Sequence, residues 1–396
     1  MRLDFVVPRY GREVIGGAEA AVRMLAERLV SSLGWDVRVL TTCARDSRTW
    51  ANEFAPGSSV EGGVRVERFV SEAGRDKGFD KLAFTVLYGP NPSFEDQVRL
   101  IDLQGPVSSG LLDAATSSDA ELVAFTPYLY HPVVYGVPRL GRRAVVHPAA
   151  HDEPVFRLDV VEPVFQSAGG FAYYTHAERQ LVERRFDVGH VPGVVVGLGV
   201  DAPESPPDAS AARRALGLDD DEPFLLCVGR VDEGKGARLL AESFAAYKER
   251  RPGPLKLVFI GQVVDRPAER ADVVVAGMVD DAVKWGAYAA ASALVQPSPN
   301  ESFSLVLIEA WLAGAPVLVN AACPATWEHA VRSGGGLRFG SYPEFEVAVD
   351  RLVGDEGLRR RLAERGRAYA EGEFSWAAVL DRYARFMSSC GMRAGR

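Results

Sequence analysis

The chain has 396 residues, 47% of them hydrophobic and 25% charged, a balance typical of a folded protein rather than a disordered one. This length exceeds what one compact core usually supports, so we expect two domains of ordinary size. The formal net charge of -8 argues against a nucleic-acid partner, because phosphate backbones recruit basic surfaces. The four cysteines are scattered without a CxxC spacing, which predicts reduced thiols in a cytoplasmic protein and no structural metal site.

The N-terminal apolar run before Pro8 is too short for the apolar region of a signal peptide. No stretch of the sequence approaches the roughly 20 apolar residues that a membrane helix needs. Five arginines could still form a basic edge on the N-terminal domain: Arg2, Arg9, Arg12, Arg23 and Arg28. We therefore expect a cytoplasmic protein without a transmembrane segment, with peripheral membrane contact left open.

The first half of the chain predicts repeated strand–helix–strand units. An amphipathic helix follows the turn at Gly16-Gly17 and ends near Gly34, and it is flanked by two short apolar strands, which predicts a parallel pair. Thr175 and Glu178 have the spacing of a capping box, which begins a further helix. Residues 47–110 are irregular and rich in glycine, and we expect a substrate-specific insertion there. Strands are predicted at 3–7, 36–41, 122–126, 144–147 and 170–174.

The Pro-rich run 201–207 is the best domain boundary, and a second Rossmann-like series follows it. Its strands are predicted at 224–228, 255–260, 273–275, 293–296 and 316–319. The pattern predicts an α/β protein with two tandem, doubly wound, Rossmann-like domains facing a cleft. We expect the domains to span 1–202 and 203–375, and the C-terminal segment 376–396 to be a helix and tail that return to the N-terminal domain.

A glycine-rich loop follows the first strand of the second domain, with Arg230 and Lys235 between its glycines. Ligands of parallel α/β sheets bind at the carboxyl ends of the strands, where this loop lies. Arg230 can bind a phosphate through two hydrogen bonds, Lys235 can act as a point charge, and the following helix offers free N–H groups. The alternative is a glycine-rich turn with two solvated cations.

Two glutamates, Glu301 and Glu309, flank the start of a helix that we expect from about Phe303. Carboxylates in such apolar surroundings are costly unless they are satisfied, and vicinal sugar hydroxyls are suitable donors. The alternative is that Glu301 favours the helix dipole and that Glu309 is exposed.

Together these motifs resemble the retaining glycosyltransferases of the GT-B fold, in particular family 4. That family has a Gly-Arg…Lys-Gly loop and a Glu-x7-Glu motif with the spacing found here. The resemblance also includes the segments 199–201, 277–281 and 313–317, and it is strongest over 222–320. It therefore implies a GT-B fold for essentially the whole chain.

The resemblance implies a donor site for a nucleoside diphosphate sugar, most readily a UDP- or GDP-sugar, without a metal or other cofactor. Arg230 and Lys235 would bind the diphosphate, Glu309 the ribose and Glu301 the transferred sugar. The loop at Met278 and Val279 would lie near the base. Backbone N–H groups after Glu301 would support the sugar or phosphate, and they belong to Ser302, Phe303, Ser304 and Leu305. The family usually has Gly-Phe-Gly where this chain has Ser302-Phe303-Ser304, so the sugar itself stays open.

The N-terminal half carries weaker signals for a site. The amides of Gly16 and Gly17 would face the diphosphate, or they form an ordinary tight turn. The resemblance implies a histidine close to the transferred sugar, and His151 matches it better than His147, the alternative being a structural histidine. Both lie among prolines, so the helical ligand spacing of a metal site does not apply. Gln104 and His131 are the candidates for the acceptor side.

These residues, together with the resemblance, predict a retaining hexosyltransferase with an unidentified acceptor, whether a glycan, a lipid-linked molecule or a small molecule. Arg230, Lys235, Glu301 and His151 are the expected catalytic residues. A related epimerase or phosphorylase is an alternative enzyme, and a protein that only binds sugar nucleotides is a non-enzymatic one. Donor isomerisation without an acceptor would identify an epimerase.

Overall fold

The computed structural model describes residues 1–14 and 16–395, and it divides into two compact units. The first unit consists of Met1–Gly199 together with Val379–Arg396, and the second of Val200–Ala378. Both are built from α-helices around a central, largely parallel sheet. No helix in the described part of the chain is both long and apolar enough to cross a membrane.

The first unit contains an eight-stranded sheet with the order β3-β4-β2-β1-β5-β6-β7-β8. Every pairing is parallel except that of β3 with β4. The strands are β1 Arg2–Val6, β2 Asp36–Thr42, β3 Gly57–Glu61, β4 Val64–Phe69, β5 Leu122–Phe125, β6 Ala144–Val146, β7 Gly170–Tyr173 and β8 Gly193–Val195. All residues of β5, β6 and β7 are buried, as expected for parallel strands covered on both faces.

In the described part of the first unit, α-helices connect these strands. They are α1 Gly17–Leu33, α2 Phe79–Tyr88, α3 Phe94–Gln104, α4 Ser109–Thr116, α5 His131–Leu140, α6 Glu162–Ser167 and α7 His176–Phe186. Helix α1 ends at Gly34, whose φ of 63° is left-handed, as the sequence predicted. The predicted capping box is also present, because the Thr175 side chain accepts a hydrogen bond from the Glu178 amide.

Residues 47–110, which the sequence suggested to be irregular, form regular elements, and the expected substrate-specific insertion stays a prediction. Strands β3 and β4 form a hairpin through Gly62 and Gly63, whose positive φ values allow the tight turn. Helices α2 and α3 follow, and Ser93 caps α3 through the Asp96 amide. The hairpin escaped detection because β3 is a polar, exposed edge strand without the apolar alternation of a half-buried one.

The second unit contains a six-stranded parallel sheet with the order β11-β10-β9-β12-β13-β14. The strands are β9 Phe224–Val228, β10 Lys256–Ile260, β11 Val273–Gly277, β12 Ala293–Gln296, β13 Val317–Asn320 and β14 Gly336–Phe339. The helices are α8 Ala209–Ala215, α9 Ala237–Arg250, α10 Asp281–Ala290, α11 Leu305–Ala313, α12 Pro324–Ser333, α13 Tyr342–Gly354 and α14 Glu356–Phe374. Two doubly wound sheets therefore confirm the predicted fold class.

The last helix, α15 Trp376–Ala394, takes up nearly all of the segment 376–396 that was predicted as a helix and tail. From Val379 onward it belongs to the first unit. Its Tyr383 is fully buried there and lies 3.0 Å from His147 Nε2 through its hydroxyl. The C-terminal helix is thus part of the core of the N-terminal unit.

Candidate functional site

The second unit has a switch point between β9 and β12, which are neighbours in the sheet although β10 and β11 lie between them in sequence. Loops leave the carboxyl ends of these two strands in opposite directions, which opens a crevice for a ligand in sheets of this kind. The loop after β9 is 229–236 and the loop after β12 is 297–304. Both predicted donor motifs therefore meet at this edge.

The loop after β9 is organised by the buried carboxylate of Asp232. Its Oδ1 accepts a hydrogen bond from the Lys235 amide at 2.8 Å, and its Oδ2 contacts the Arg230 guanidinium. Arg230 and Lys235 keep half and about a third of their side chains exposed. Both cations therefore stay accessible to an anion while the backbone beneath them is fixed.

Glu301 joins the two loops. Its Oε1 lies 2.7 Å from Lys235 Nζ, and only 13% of its side chain is exposed. Burial and the Glu301 charge together raise the pKa of Cys227, near the end of β9, to about 12. The carboxylate thus faces the end of the central strand beside a cation, where it can accept hydrogen bonds from a polar ligand.

Glu309 lies about one turn into α11 and has two partners of its own. Tyr288 donates a hydrogen bond to Oε2 at 2.7 Å, and Lys284 Nζ lies 3.2 Å from Oε1. Burial opposes the charge on Lys284, yet Glu309 and Asp281 raise its pKa, so this lysine stays cationic. The carboxylate is therefore oriented rather than exposed, contrary to the alternative considered from the sequence.

Lys284 and Tyr288 were not among the predicted site residues. They lie four residues apart on α10 and therefore share a face of that helix. The only sequence signal was their position after Asp280, which caps α10 through the Val283 amide at 2.8 Å. Which helix faces Glu309 depends on tertiary packing, and the spacing of residues does not reveal it.

The segment after Glu301, where this chain departs from Gly-Phe-Gly, carries a serine in a backbone conformation that suits glycine. Ser304 has a φ of 74°, a left-handed conformation that favours glycine, and its Oγ accepts a hydrogen bond from Gln296 Nε2 at 3.0 Å. Phe303 is buried edge-on against His329 and Phe374. Helix α11 therefore begins at Leu305, two residues beyond the predicted start, and its first amides are available to an anion.

The remaining predicted donor residues lie at other strand ends. Met278 and Val279 follow β11, and Met278 is 70% exposed. In the first unit, Gly16 caps α1 and Gly17 begins it. A Cβ on Gly16 would lie 2.1 Å from Glu19 Oε2, so this turn is tight as well as glycine-rich.

The two histidines of the loop after β6 have different environments. His151 is partly exposed, and its Nε2 lies 3.5 Å from Glu153 Oε2. His147 is 1% exposed and contacts Tyr383, and burial lowers its pKa to about 3. His147 is therefore a core residue, and His151 is the accessible one.

The buried His147 predicts a pH-dependent stability. Its pKa in the fold lies below the ordinary 6.5, so its stabilising contribution is complete above pH 6.5 and is lost as pH falls toward 3. We expect His147→Gln to reduce the slope of unfolding free energy against pH by up to about 1.4 kcal/mol per pH unit over this window. Urea unfolding between pH 4.5 and 7.5 measures it. His190→Gln, at an exposed site, should keep the wild-type slope, and equal slopes in both variants would contradict the assignment.

The candidate acceptor residues lie together. Gln104 ends α3, and its side-chain oxygen accepts a hydrogen bond from Arg75 at 2.7 Å. His131 begins α5, and its amide donates to the Gly105 carbonyl at 3.2 Å. Burial lowers the pKa of His131. The described residues contain no group of three or more His, Cys, Asp or Glu side chains that could hold a metal.

The two parallel α/β units have the GT-B fold of glycosyltransferases. Sucrose-phosphate synthase from Thermosynechococcus elongatus is 18% identical and superimposes with a TM-score of 0.71 over 98% of each chain. HepE from Anabaena, in complex with UDP and glucose, is 18% identical with a TM-score of 0.70, over 98% of this chain and 100% of that one. At this identity the likeness shows the fold alone.

Residues 208–369 match the model of the family Glycosyl transferases group 1. The D-inositol 3-phosphate glycosyltransferase of Xylanimonas cellulosilytica is 30% identical over 280 residues, which are 64% of this chain and 66% of the relative. Another relative of the same name, from Segniliparus rotundus, is 27% identical over 56% of this chain and 55% of its own. The chain thus spans between about half and two thirds of the curated relatives that it matches.

Proposed function

We propose that this chain is a retaining, metal-independent glycosyltransferase that transfers a hexosyl residue from a nucleoside diphosphate sugar. The observation that carries the proposal is the cluster of Arg230, Lys235 and Glu301 at the switch point of the second sheet. Two accessible cations, the amides of a helix start and a nearby carboxylate suit a phosphate attached to a hydroxyl-bearing group. The family model that residues 208–369 match and the fold of the solved neighbours support the same interpretation.

In this proposal, different residues bind different chemical groups of the donor. Arg230 and Lys235 bind the diphosphate, and the amides of Ser302, Phe303, Ser304 and Leu305 support the sugar or phosphate. Glu301 accepts hydrogen bonds from hydroxyls of the transferred sugar. Glu309 accepts them from the ribose while Lys284 and Tyr288 hold its carboxylate. Met278 and Val279 contact the base.

The first unit contributes the remaining proposed residues. His151 contacts the transferred sugar, the amides of Gly16 and Gly17 face the diphosphate, and Gln104 and His131 serve the acceptor. A UDP- or GDP-sugar is the proposed donor, supported by the UDP and glucose in the HepE complex. We place the activity in the cytoplasm, with peripheral membrane contact if the acceptor is lipid-linked.

Chemistry at this site is mainly electrostatic. As the bond between the sugar and the diphosphate breaks, negative charge develops on the leaving phosphate, and Arg230, Lys235 and helix amides stabilise it. A same-face attack, in which the departing phosphate takes the proton of the acceptor hydroxyl, needs no covalent nucleophile. Exclusion of water from the donor limits its hydrolysis.

A thermal-shift panel with UDP-, GDP-, ADP- and dTDP-glucose tests the donor site. A nucleotide sugar present at about 100 times its Kd stabilises the protein by about 2.7 kcal/mol, which raises its Tm by several degrees. We expect one nucleotide to stand out, and Glu309→Ala to lose most of that shift because the ribose loses its acceptor.

Glu364→Ala is the matched control for this panel. Glu364 is 69% exposed on α14, and its ion pair is with Arg360, at 3.9 Å, rather than with a proposed ligand-binding residue. It should show the full wild-type shift. A panel without any shift would contradict the donor site, and an unchanged shift in Glu309→Ala would contradict the ribose contact alone.

A further inference from the structure

Glu178, in the first turn of α7, has a buried carboxylate that is occupied by backbone amides. Its Oε1 accepts a hydrogen bond from the Ala150 amide at 2.8 Å, and its Oε2 accepts one from the Tyr174 amide at 2.6 Å. Only 2% of the residue is exposed. A capping box accounts for hydrogen bonds between Glu178 and the start of α7. It does not account for the hydrogen bond from Ala150, which belongs to the loop after β6.

That loop connects β6 to His151 and has an unusual backbone. Ala149 has a φ of 52°, a left-handed conformation that is costly for a residue with a Cβ. The Pro148 carbonyl accepts a hydrogen bond from the Tyr128 amide at 3.2 Å, so the loop is anchored on both sides of Ala149. Without the Glu178 carboxylate, the Ala150 amide would be a buried donor that has lost its acceptor.

We propose that Glu178 is a positioning residue for His151, because its carboxylate holds the backbone immediately before that histidine at the carboxyl end of β6. The inference rests on the proposed function in its claim that His151 contacts the transferred sugar. Burial raises the pKa of Glu178 to about 8 against the opposing effect of several amides. A charged side chain at this position is therefore costly, which is expected if Glu178 serves to bind backbone amides.

Glu153 completes the arrangement from the other side. Its Oε2 lies 3.5 Å from His151 Nε2, and its Oε1 accepts a hydrogen bond from the Tyr128 hydroxyl at 3.0 Å. Glu153 thus orients the ring while Glu178 fixes the backbone that carries it. Tyr128 contacts both parts, since its amide binds the Pro148 carbonyl and its hydroxyl binds Glu153.

Amide hydrogen exchange tests the anchoring without any substrate. Glu178→Ala should accelerate exchange in the peptide 147–153 at least tenfold. Glu178→Gln should accelerate it less, because the amide keeps one acceptor oxygen. Thr175→Ala is the matched control, since it removes the side-chain cap of α7 and leaves the carboxylate that binds Ala150. Unchanged exchange in 147–153 in both Glu178 variants would overturn the proposal.

A double-mutant cycle with His151→Ala tests the consequence for turnover, measured as UDP release from UDP-glucose. We expect Glu178→Ala and Glu178→Gln to lower kcat by about 10- to 100-fold with little change in KM, as a displacement of about 1 Å can do. In the His151→Ala background the same substitutions should have almost no further effect. Fully additive losses would overturn the proposal and leave the proposed function intact. Wild-type turnover in His151→Ala would instead remove the sugar contact from the proposed function, and the hydrogen-exchange result would still decide whether Glu178 anchors the loop.

Discussion

Lys235→Ala is expected to lower kcat for sugar transfer by at least about a hundredfold. The diphosphate gains negative charge as it leaves, and a fixed donor aimed at such charge typically contributes about 3–4 kcal/mol to the transition state. Because the side chain is about one third exposed in the free protein, its charge is available to the ligand. The measurement is the rate of transfer or of donor hydrolysis at saturating nucleotide sugar.

The loss of Lys235 has a second effect, on Glu301. In the free protein this carboxylate lies 2.7 Å from Lys235 Nζ and is largely buried, so the substitution leaves it without its cation. Some stability should be lost as well as activity. Lys235→Met retains the apolar stem and separates the two effects, because it should restore packing without restoring turnover.

Arg238→Ala is the matched control for Lys235→Ala. Arg238 lies three residues further along the chain, is 68% exposed and contacts Glu233 rather than a residue of the loop after β12. An exposed pair of this kind contributes little. Its variant should therefore turn over at the wild-type rate. Comparable rates in the Lys235 and Arg238 variants would refute the diphosphate role of Lys235.

The sequence predicted the architecture well because parallel α/β units leave a strong local pattern. The ten predicted strands are all present, and Gly34 and Thr175 end and begin helices as expected. Proximity of Lys235 and Glu301 could also be anticipated, since both follow strands whose carboxyl ends share one edge of the sheet. Periodicity and turn chemistry were sufficient for these features.

Other features depend on tertiary packing and left no local signal. The partners of Glu309 come from α10, 21 and 25 residues away in sequence. The start of α11 is displaced because Ser304 adopts a left-handed conformation and Phe303 is buried against His329. The sequence identified Glu178 only as part of a helix cap, because the Ala150 amide that it binds belongs to the loop after another strand.

Gly236→Ala and Gly277→Ala form a matched pair with sharply different expected outcomes. Both glycines are left-handed, with φ values of 75° and 72°. A Cβ on Gly277 would meet no atom within 4 Å, whereas one on Gly236 would lie 2.6 Å from the Pro297 carbonyl oxygen. The backbone strain of alanine, about 1–2 kcal/mol, is therefore common to both variants, and the clash belongs to Gly236 alone.

We expect Gly277→Ala to lose about 1–2 kcal/mol of unfolding free energy, which is its backbone strain alone. Gly236→Ala should lose roughly 3 kcal/mol or more, because the Pro297 carbonyl must move away from Asn320 Nδ2, which now donates to it at 2.8 Å. The rate of sugar transfer by Gly236→Ala should fall as well, because Pro297 and Gly236 belong to the two loops that the ion pair of Glu301 and Lys235 connects. Urea unfolding and transfer assays measure both effects.

Equal destabilisation of the two glycine variants would mean that the loops after β9 and β12 can separate without cost. A larger destabilisation in Gly236→Ala than in Gly277→Ala would instead explain why glycine follows Lys235. Glycines in a loop of this kind commonly let the backbone approach a ligand closely. The structure gives Gly236 a reason that does not depend on any ligand, because only a residue without a Cβ lets the loop after β9 pack on the Pro297 carbonyl and place Lys235 beside Glu301.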